Sequence, residues 1–199
     1  MVASLYTLPN KHPIRDVLAR AERRSQNVGA LPRFPLAEVI KTMDQERLHA
    51  LETIDPRPLA PWNPPEFKEI NIDSDRDRAI ERAEALAASL GTVVYSDASA
   101  NQDQLGAAAV ILDHAGKVVT SQQIGVGPKT HWSIHAAELI GIYYSIELAR
   151  MHRHGRWCSS ATNKPDITII SDSQSALKAI ANPSNRTCQH IIYAIFKAA

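Results

Sequence analysis

The sequence predicts an α/β fold, a mixed sheet with crossover helices, preceded by a helical and proline-rich segment. Nine of the 12 prolines lie before Phe67, whereas seven of the eight glycines lie from Gly91 onward. A linker-like first part therefore precedes a compact second part. From Thr92 the pattern reads strand, hairpin, long helix, strand, an order that makes the first and last of these strands parallel neighbours joined by a right-handed crossover. With 199 residues, 44% of them hydrophobic, the chain can bury one good core and carry an appendage. We divide it into a connector segment, 1–90, and an α/β domain, 91–199.

Residues 10–25 and 36–52 each space their apolar positions as one helical face (Ile14, Val17, Leu18, Ala21; Leu36, Val39, Ile40, Met43, Leu48, Leu51) and are bounded by prolines. Two helices are expected there. The run from Pro56 to Pro65 is too rich in proline for a helix or a central strand and reads as an extended connector. Residues 75–90 mix charged residues with Ala and Leu as a solvated helix does, with Gly91 as its C-terminal cap.

Thr92 to Asp97 is the first strand, and Leu105–Leu112 and Lys117–Ile124 form a hairpin around the turn Asp113–Gly116. Ser133 precedes a helix from Ile134 to Arg150 that is apolar on most faces, as a helix packed on a sheet should be. Asp166–Asp172 has an unbroken apolar run, the pattern of a central strand buried on both faces. Ser173–Ile180 is a short helix stopped at Asn182-Pro183, and the segment from Gln189 is an amphipathic helix.

A net charge of +1 neither attracts nor excludes a polyanion. The basic run Arg150–Arg156 follows the long helix, where cations complement the helix dipole; a phosphate-contacting patch is the alternative reading. Cys158 and Cys188 have no metal-ligand spacing and form no disulfide framework, which fits a reducing compartment. The N-terminus lacks the basic and apolar regions of a signal peptide, and no apolar run approaches the roughly 18 residues of a membrane span. An intracellular protein, in cytoplasm or nucleus and not secreted, is expected. Gly125–Thr130 resembles a phosphate loop only in composition, lacking the G-x-x-x-x-G-K-[ST] spacing.

The chemistry lies in three carboxylates. Asp97 closes the first predicted strand and Asp172 the later one, and parallel neighbours bring their carboxyl ends to the one edge where open α/β sheets place ligands. Glu138 lies one turn into the crossover helix within Ala-Ala-Glu-Leu-Ile, with Gly141 and Ser145 on its side to allow close approach to the sheet. Alone, Asp172 reads as a helix cap and Asp97 as a turn residue. Together the three would repel one another unless protonated or neutralised by cations, and hard oxygen ligands select Mg2+ or Mn2+. Two such ions about 4 Å apart form a clamp for in-line attack of water on a phosphodiester.

Tyr-Ser-Asp97-Ala-Ser, Ala-Ala-Glu138-Leu and Ser-Asp172-Ser-Gln-Ser-Ala-Leu, in this order and spacing, resemble the motifs of the type 1 ribonuclease H family. The match is to the ribonuclease H domains of fungal non-LTR retrotransposon polyproteins and covers about residues 91–199. The segment 1–90 is similar to the connector that follows the reverse transcriptase in such elements. The resemblance implies a ribonuclease H-like fold and a hydrolase that cleaves the RNA strand of RNA/DNA hybrids. It also implies two Mg2+ (or Mn2+) ions held by Asp97, Glu138 and Asp172, and a reverse transcriptase domain as neighbour in the parent polyprotein. Ala98, Ser99 and Gln174 match positions that contact the hybrid, Gln174 in the minor groove where 2′-hydroxyls identify RNA. His135 stands where the family has asparagine or a small residue. The family continues beyond the Gln189 helix with a further strand and a last helix that supplies a fourth carboxylate. With Ala199 as the final residue, a domain lacking that strand and helix is expected. The competing reading is a catalytically inactive nucleic-acid-binding or structural remnant.

Overall fold

The computed structural model describes residues 2–26, 35–54, 67–88, 91–113, 115–155, 166–183 and 187–199. They fall into two compact units, Met1–Leu59 with Ser184–Gln189, and Ala60–Pro183 with His190–Ala199. The expected connector 56–65 lies outside the described residues, as do Cys158 and the end of the basic run at Arg156.

The first unit is helical: α1 (Val2–Tyr6), α2 (Ile14–Gln26), α3 (Pro35–Lys41) and α4 (Gln45–His49). The single helix expected over 36–52 is two. Asp44 takes extended backbone and its carboxylate accepts from the Arg47 amide at 3.2 Å, capping α4 and ending the first helix before it. The apolar spacing continues across the break because Ile40 and Leu48 enter the same core, together with Tyr6, Leu18 and Ala21. Burial, then the neighbouring Glu22 carboxylate, pushes the Tyr6 hydroxyl well above its ordinary value.

The second unit carries the sheet. It comprises α5 (Arg76–Ala87), β1 (Thr92–Asn101), β2 (Gln104–Leu112), β3 (Val118–Pro128), α6 (Ile134–Gly155), β4 (Ile167–Ser171), α7 (Gln174–Ala181) and α8 (Gln189–Ala198), the last beginning at the final residue of the first unit. The strand order is β3-β2-β1-β4. β1 to β3 form an antiparallel meander and β4 lies parallel to β1, as the crossover through α6 requires. The fold is therefore the mixed α/β sheet with flanking helices that the sequence predicts. The hairpin turn expected at Asp113–Gly116 is present: the Gly116 amide donates to the Asp113 carbonyl at 2.9 Å, with Gly116 at φ 75°.

Three expectations for the second unit need correction. β1 does not end at Asp97 but runs on to Asn101, because its second half pairs with β2, Asp97 opposite Ala108. β4 is half-buried, not buried on both faces: among the described strands it stands at the sheet edge, flanked only by β1. The helix after Asp75 is capped by Ala88 in right-handed backbone, so Gly91 has no capping role. The solvated character of α5 is as expected, with no buried residue.

The core that positions the site is the interface of α6 with β1 and β2. Val94, Ala109, Ile111, Leu148 and Ala149 pack together, joined by the half-buried Ile169 of β4. Leu139 and Ile142 are also buried on α6; each such side chain contributes on the order of 1.5–3 kcal/mol. Gly141 sets the closest approach. A Cβ there would stand 2.7 Å from Ser96 Oγ and 3.5 Å from the Asp97 carbonyl, so a methyl at this turn of α6 would displace the buried Ser96 hydroxyl. One turn on, the buried Ser145 hydroxyl folds back to donate to the Gly141 carbonyl at 2.9 Å.

Candidate metal centre

The parallel ladder between β1 and β4 runs from Thr92↔Ile167 to Ser96↔Ser171. Asp97 and Asp172 are the next residue on each strand, so equal counting along two parallel strands brings them to the same edge. Asp172 is followed by Ser173, whose hydroxyl accepts from the Ala176 amide at 3.4 Å and caps α7. Ser173 takes the capping role that Asp172 had in isolation, and the Asp172 carboxylate stays out of it. Asp97 lies within a strand, and the β1–β2 turn falls beyond it at Gln102, whose φ is 48°.

Glu138 completes the cluster from α6. Each of Asp97, Glu138 and Asp172 offers a carboxylate oxygen, and these oxygens lie within 4.8 Å of one another. The aspartates are exposed and Glu138 is half-buried. Glu138 Oε2 is buried with no hydrogen-bond partner. Burial first, then the charges of Asp172 and Asp97, raise its carboxyl from 4.5 to about 7. Among the described residues no lysine or arginine pairs with any of the three. A clustered set of hard oxygen donors, one left orphaned by burial and none neutralised by a protein cation, fits a divalent cation of the Mg2+ or Mn2+ kind.

The other sequence-predicted residues sit around this centre. Ser99, exposed on β1, lines with Asp97 an open cavity of about 470 Å³ floored by Gly106, Ala107 and Ala108 of β2 and bordered by Gln123–Gly125 of β3. Ala98 alternates with them, half-buried and outside that cavity, opposite Ala107. Gln174, the first residue of α7, is exposed; its Nε2 donates to the Asp73 carbonyl at 3.0 Å and its Oε1 accepts from Lys178 at 3.4 Å. His135 Nδ1 lies 3.2 Å from Ser175 Oγ, tying the start of α6 to the start of α7. Gly125–Pro128 belong to strand β3 rather than to a strand-to-helix loop, so the glycine-lysine stretch is no phosphate cradle.

Sequence reasoning missed Ser96, buried against Gly141, and the contact from Asp73. Ser96 had a signal in the motif itself, since the residue before an exposed strand carboxylate points to the covered face. Asp73 had none, because its contribution is a backbone carbonyl.

The chain matches no family profile and no curated protein. Among solved structures it is similar to ribonuclease H1 of the halophilic archaeon Halobacterium salinarum, with 16% identity, 54% of this chain and 73% of that one covered, and a TM-score of 0.39. It is likewise similar to LC11 ribonuclease H1 in complex with an RNA/DNA hybrid, with 15% identity, 54% and 75% coverage and a TM-score of 0.42. A third is the foamy viral protease-reverse transcriptase with RNA/DNA hybrid, with 9% identity, 89% of this chain and 24% of that one covered, and a TM-score of 0.44. At such identities and scores the chemistry rests on the residues of the site itself.

Proposed function

We propose that this chain is a divalent-metal-dependent endonuclease of ribonuclease H type, hydrolysing the RNA strand of RNA/DNA hybrids and derived from a retroelement. The observation that carries the reading is the meeting of Asp97, Glu138 and Asp172 within 4.8 Å, with a Glu138 oxygen buried and unpartnered. The order and spacing of the three motifs support the same substrate class.

Asp97, Glu138 and Asp172 would hold the metal, one ion or two. Bound there, it supplies charge neutralisation at the scissile phosphate and an acidified water as nucleophile. The protein's own part is positioning. The sheet edge fixes the aspartates by register, and α6 fixes Glu138 through the close contact at Gly141. Ser99 and the β2 backbone form an open wall beside Asp97 on which a nucleic-acid backbone can lie. No helix among the described residues is long and apolar enough to cross a membrane, and an intracellular site of action accords with the substrate.

The test is incubation of the full chain with a hybrid labelled on its RNA strand, in Mg2+ and in Mn2+, beside Asp97→Asn. RNA cleavage that disappears in the variant is the expected result. Intact RNA from a folded protein that binds the hybrid would replace the nuclease with a binding module.

A further inference from the structure

Residues 67–75, ahead of α5, adopt no helix or strand, yet they are fastened to the sheet unit near both ends. Phe67 meets Phe196 of α8 edge to face, ring centroids 5.8 Å apart. Lys68 pairs with Asp166, the residue before β4. The Asp73 carbonyl accepts from Gln174 Nε2 at 3.0 Å, just past the other end of β4, and the Asp73 carboxylate pairs with Arg82 of α5 at 3.2 Å. From 68 to 73 an extended chain spans up to about 17 Å, close to the rise of the five residues of β4. The segment is thus a strap running from one end of β4 to the other.

Its far anchor acts on a side chain beside the metal centre. Gln174 is exposed, two residues past Asp172, and its carboxamide is gripped at both ends: the NH2 by the Asp73 carbonyl, the oxygen by Lys178. That pair of contacts fixes which way the amide faces and leaves one N–H and one lone pair for an outside ligand. A long glutamine side chain that is ordered before binding has less freedom to lose when it binds. The several anchors, including the Asp73–Arg82 ion pair at the start of α5, describe the mount.

We propose that the strap 67–75 is a positioning element for nucleic-acid recognition, setting Gln174 as a pre-oriented donor next to Asp172 for a sugar hydroxyl or base edge of the bound hybrid. This rests on the nuclease reading above. It makes the end of the segment assigned to the connector a working part of the site.

A double-mutant cycle between Phe67→Ala, which loosens the strap far from the ligand, and Gln174→Ala tests it in the full chain. Phe67→Leu controls for packing. Hybrid affinity is measured in Ca2+, and the Gln174 side-chain amide signal is followed by NMR without nucleic acid. The expected result is a 2- to 10-fold loss of affinity for Phe67→Ala (about the freedom of one ordered side chain) and at least as much for Gln174→Ala. The double variant should be no weaker than Gln174→Ala alone, and the Gln174 signal should move toward that of a free glutamine in Phe67→Ala. Additive losses, an unmoved signal, or tighter binding on loosening the strap would overturn the proposal. A chain that binds no hybrid while the signal moves as expected would refute the nucleic-acid role and the nuclease reading, and retain the strap's hold on Gln174.

Discussion

Glu138 and the two aspartates bring the same functional group to one site by different routes. Asp97 and Asp172 stand in solvent at a sheet edge, whereas Glu138 comes from the face of α6 packed on the sheet, with one oxygen out of reach of water and of any donor. The aspartates' positions follow from register; that of Glu138 depends on how closely a helix can approach. The difference teaches that a carboxylate cluster can be assembled from two inexpensive groups and one costly group, a cost that the divalent cation proposed above would offset.

Removing any of the three carboxylates should break activity alike and stability unalike. Asp97→Asn, Asp172→Asn and Glu138→Gln should each lower the cleavage rate by about 100-fold or more, as loss of a direct metal ligand exceeds loss of an outer-shell partner. In chelator at pH 8, however, urea melts should show Glu138→Gln the most stabilised over the parent, with each aspartate variant gaining less because it removes only one repelling charge. Equal stability changes for all three would dissolve the distinction.

Gly141→Ala tests the route by which Glu138 arrives. With its Cβ 2.7 Å from Ser96 Oγ, it should cost about 1–3 kcal/mol in urea unfolding and weaken Mn2+ binding. Gly125→Ala, with nothing within 4 Å, should cost far less and leave the metal site intact. Ser173→Ala sharpens the other side. Loss of the α7 cap should cost about 1 kcal/mol and loosen the start of the helix beside Asp172.

The Glu138 carboxyl also predicts a slope against pH. Glu138 holds its proton up to about 7 in the fold, against 4.5 when free, so the folded state binds that proton more tightly than the unfolded one. The contribution is present in full below pH 4.5 and is lost as pH rises through about 7. Metal-free protein should therefore lose stability across this window relative to Glu138→Gln, and with saturating Mn2+ the parent, which keeps the ligand, should become the more stable of the two. A parent and variant with parallel profiles in chelator would rule out the buried state of Glu138.

The three carboxylates were legible because each follows or interrupts an apolar run that reveals strand or helix, and because the parallel pairing implied by the crossover brings equal positions on the two strands together. What was illegible involved competition between equal signals. Asp44 breaks the 36–52 pattern, yet a periodicity count cannot see it, since Ile40 and Leu48 serve one core on both sides of the break. The continuation of β1 past Asp97 depends on β2 as partner, and small or polar residues such as Ala98–Asn101 signal strand only once that partner is known. Asp172 and Ser173 are equally good caps, and the choice of Ser173 appears only in the fold. The strap has no period at all, because it is held by separate contacts at its ends and not by a continuous face.

The ladder that ends at Ser96↔Ser171 makes this centre a matter of counting. Deleting one residue from either β1 or β4 upstream of its aspartate would shift that carboxylate by about 3.3 Å and turn it to the opposite face. Deleting one residue from both strands would restore the match between the aspartates, though not with Glu138, which counts from α6. Length changes in this chain should therefore be tolerated within the β2–β3 turn, and rejected inside the two five-residue runs that measure out the site.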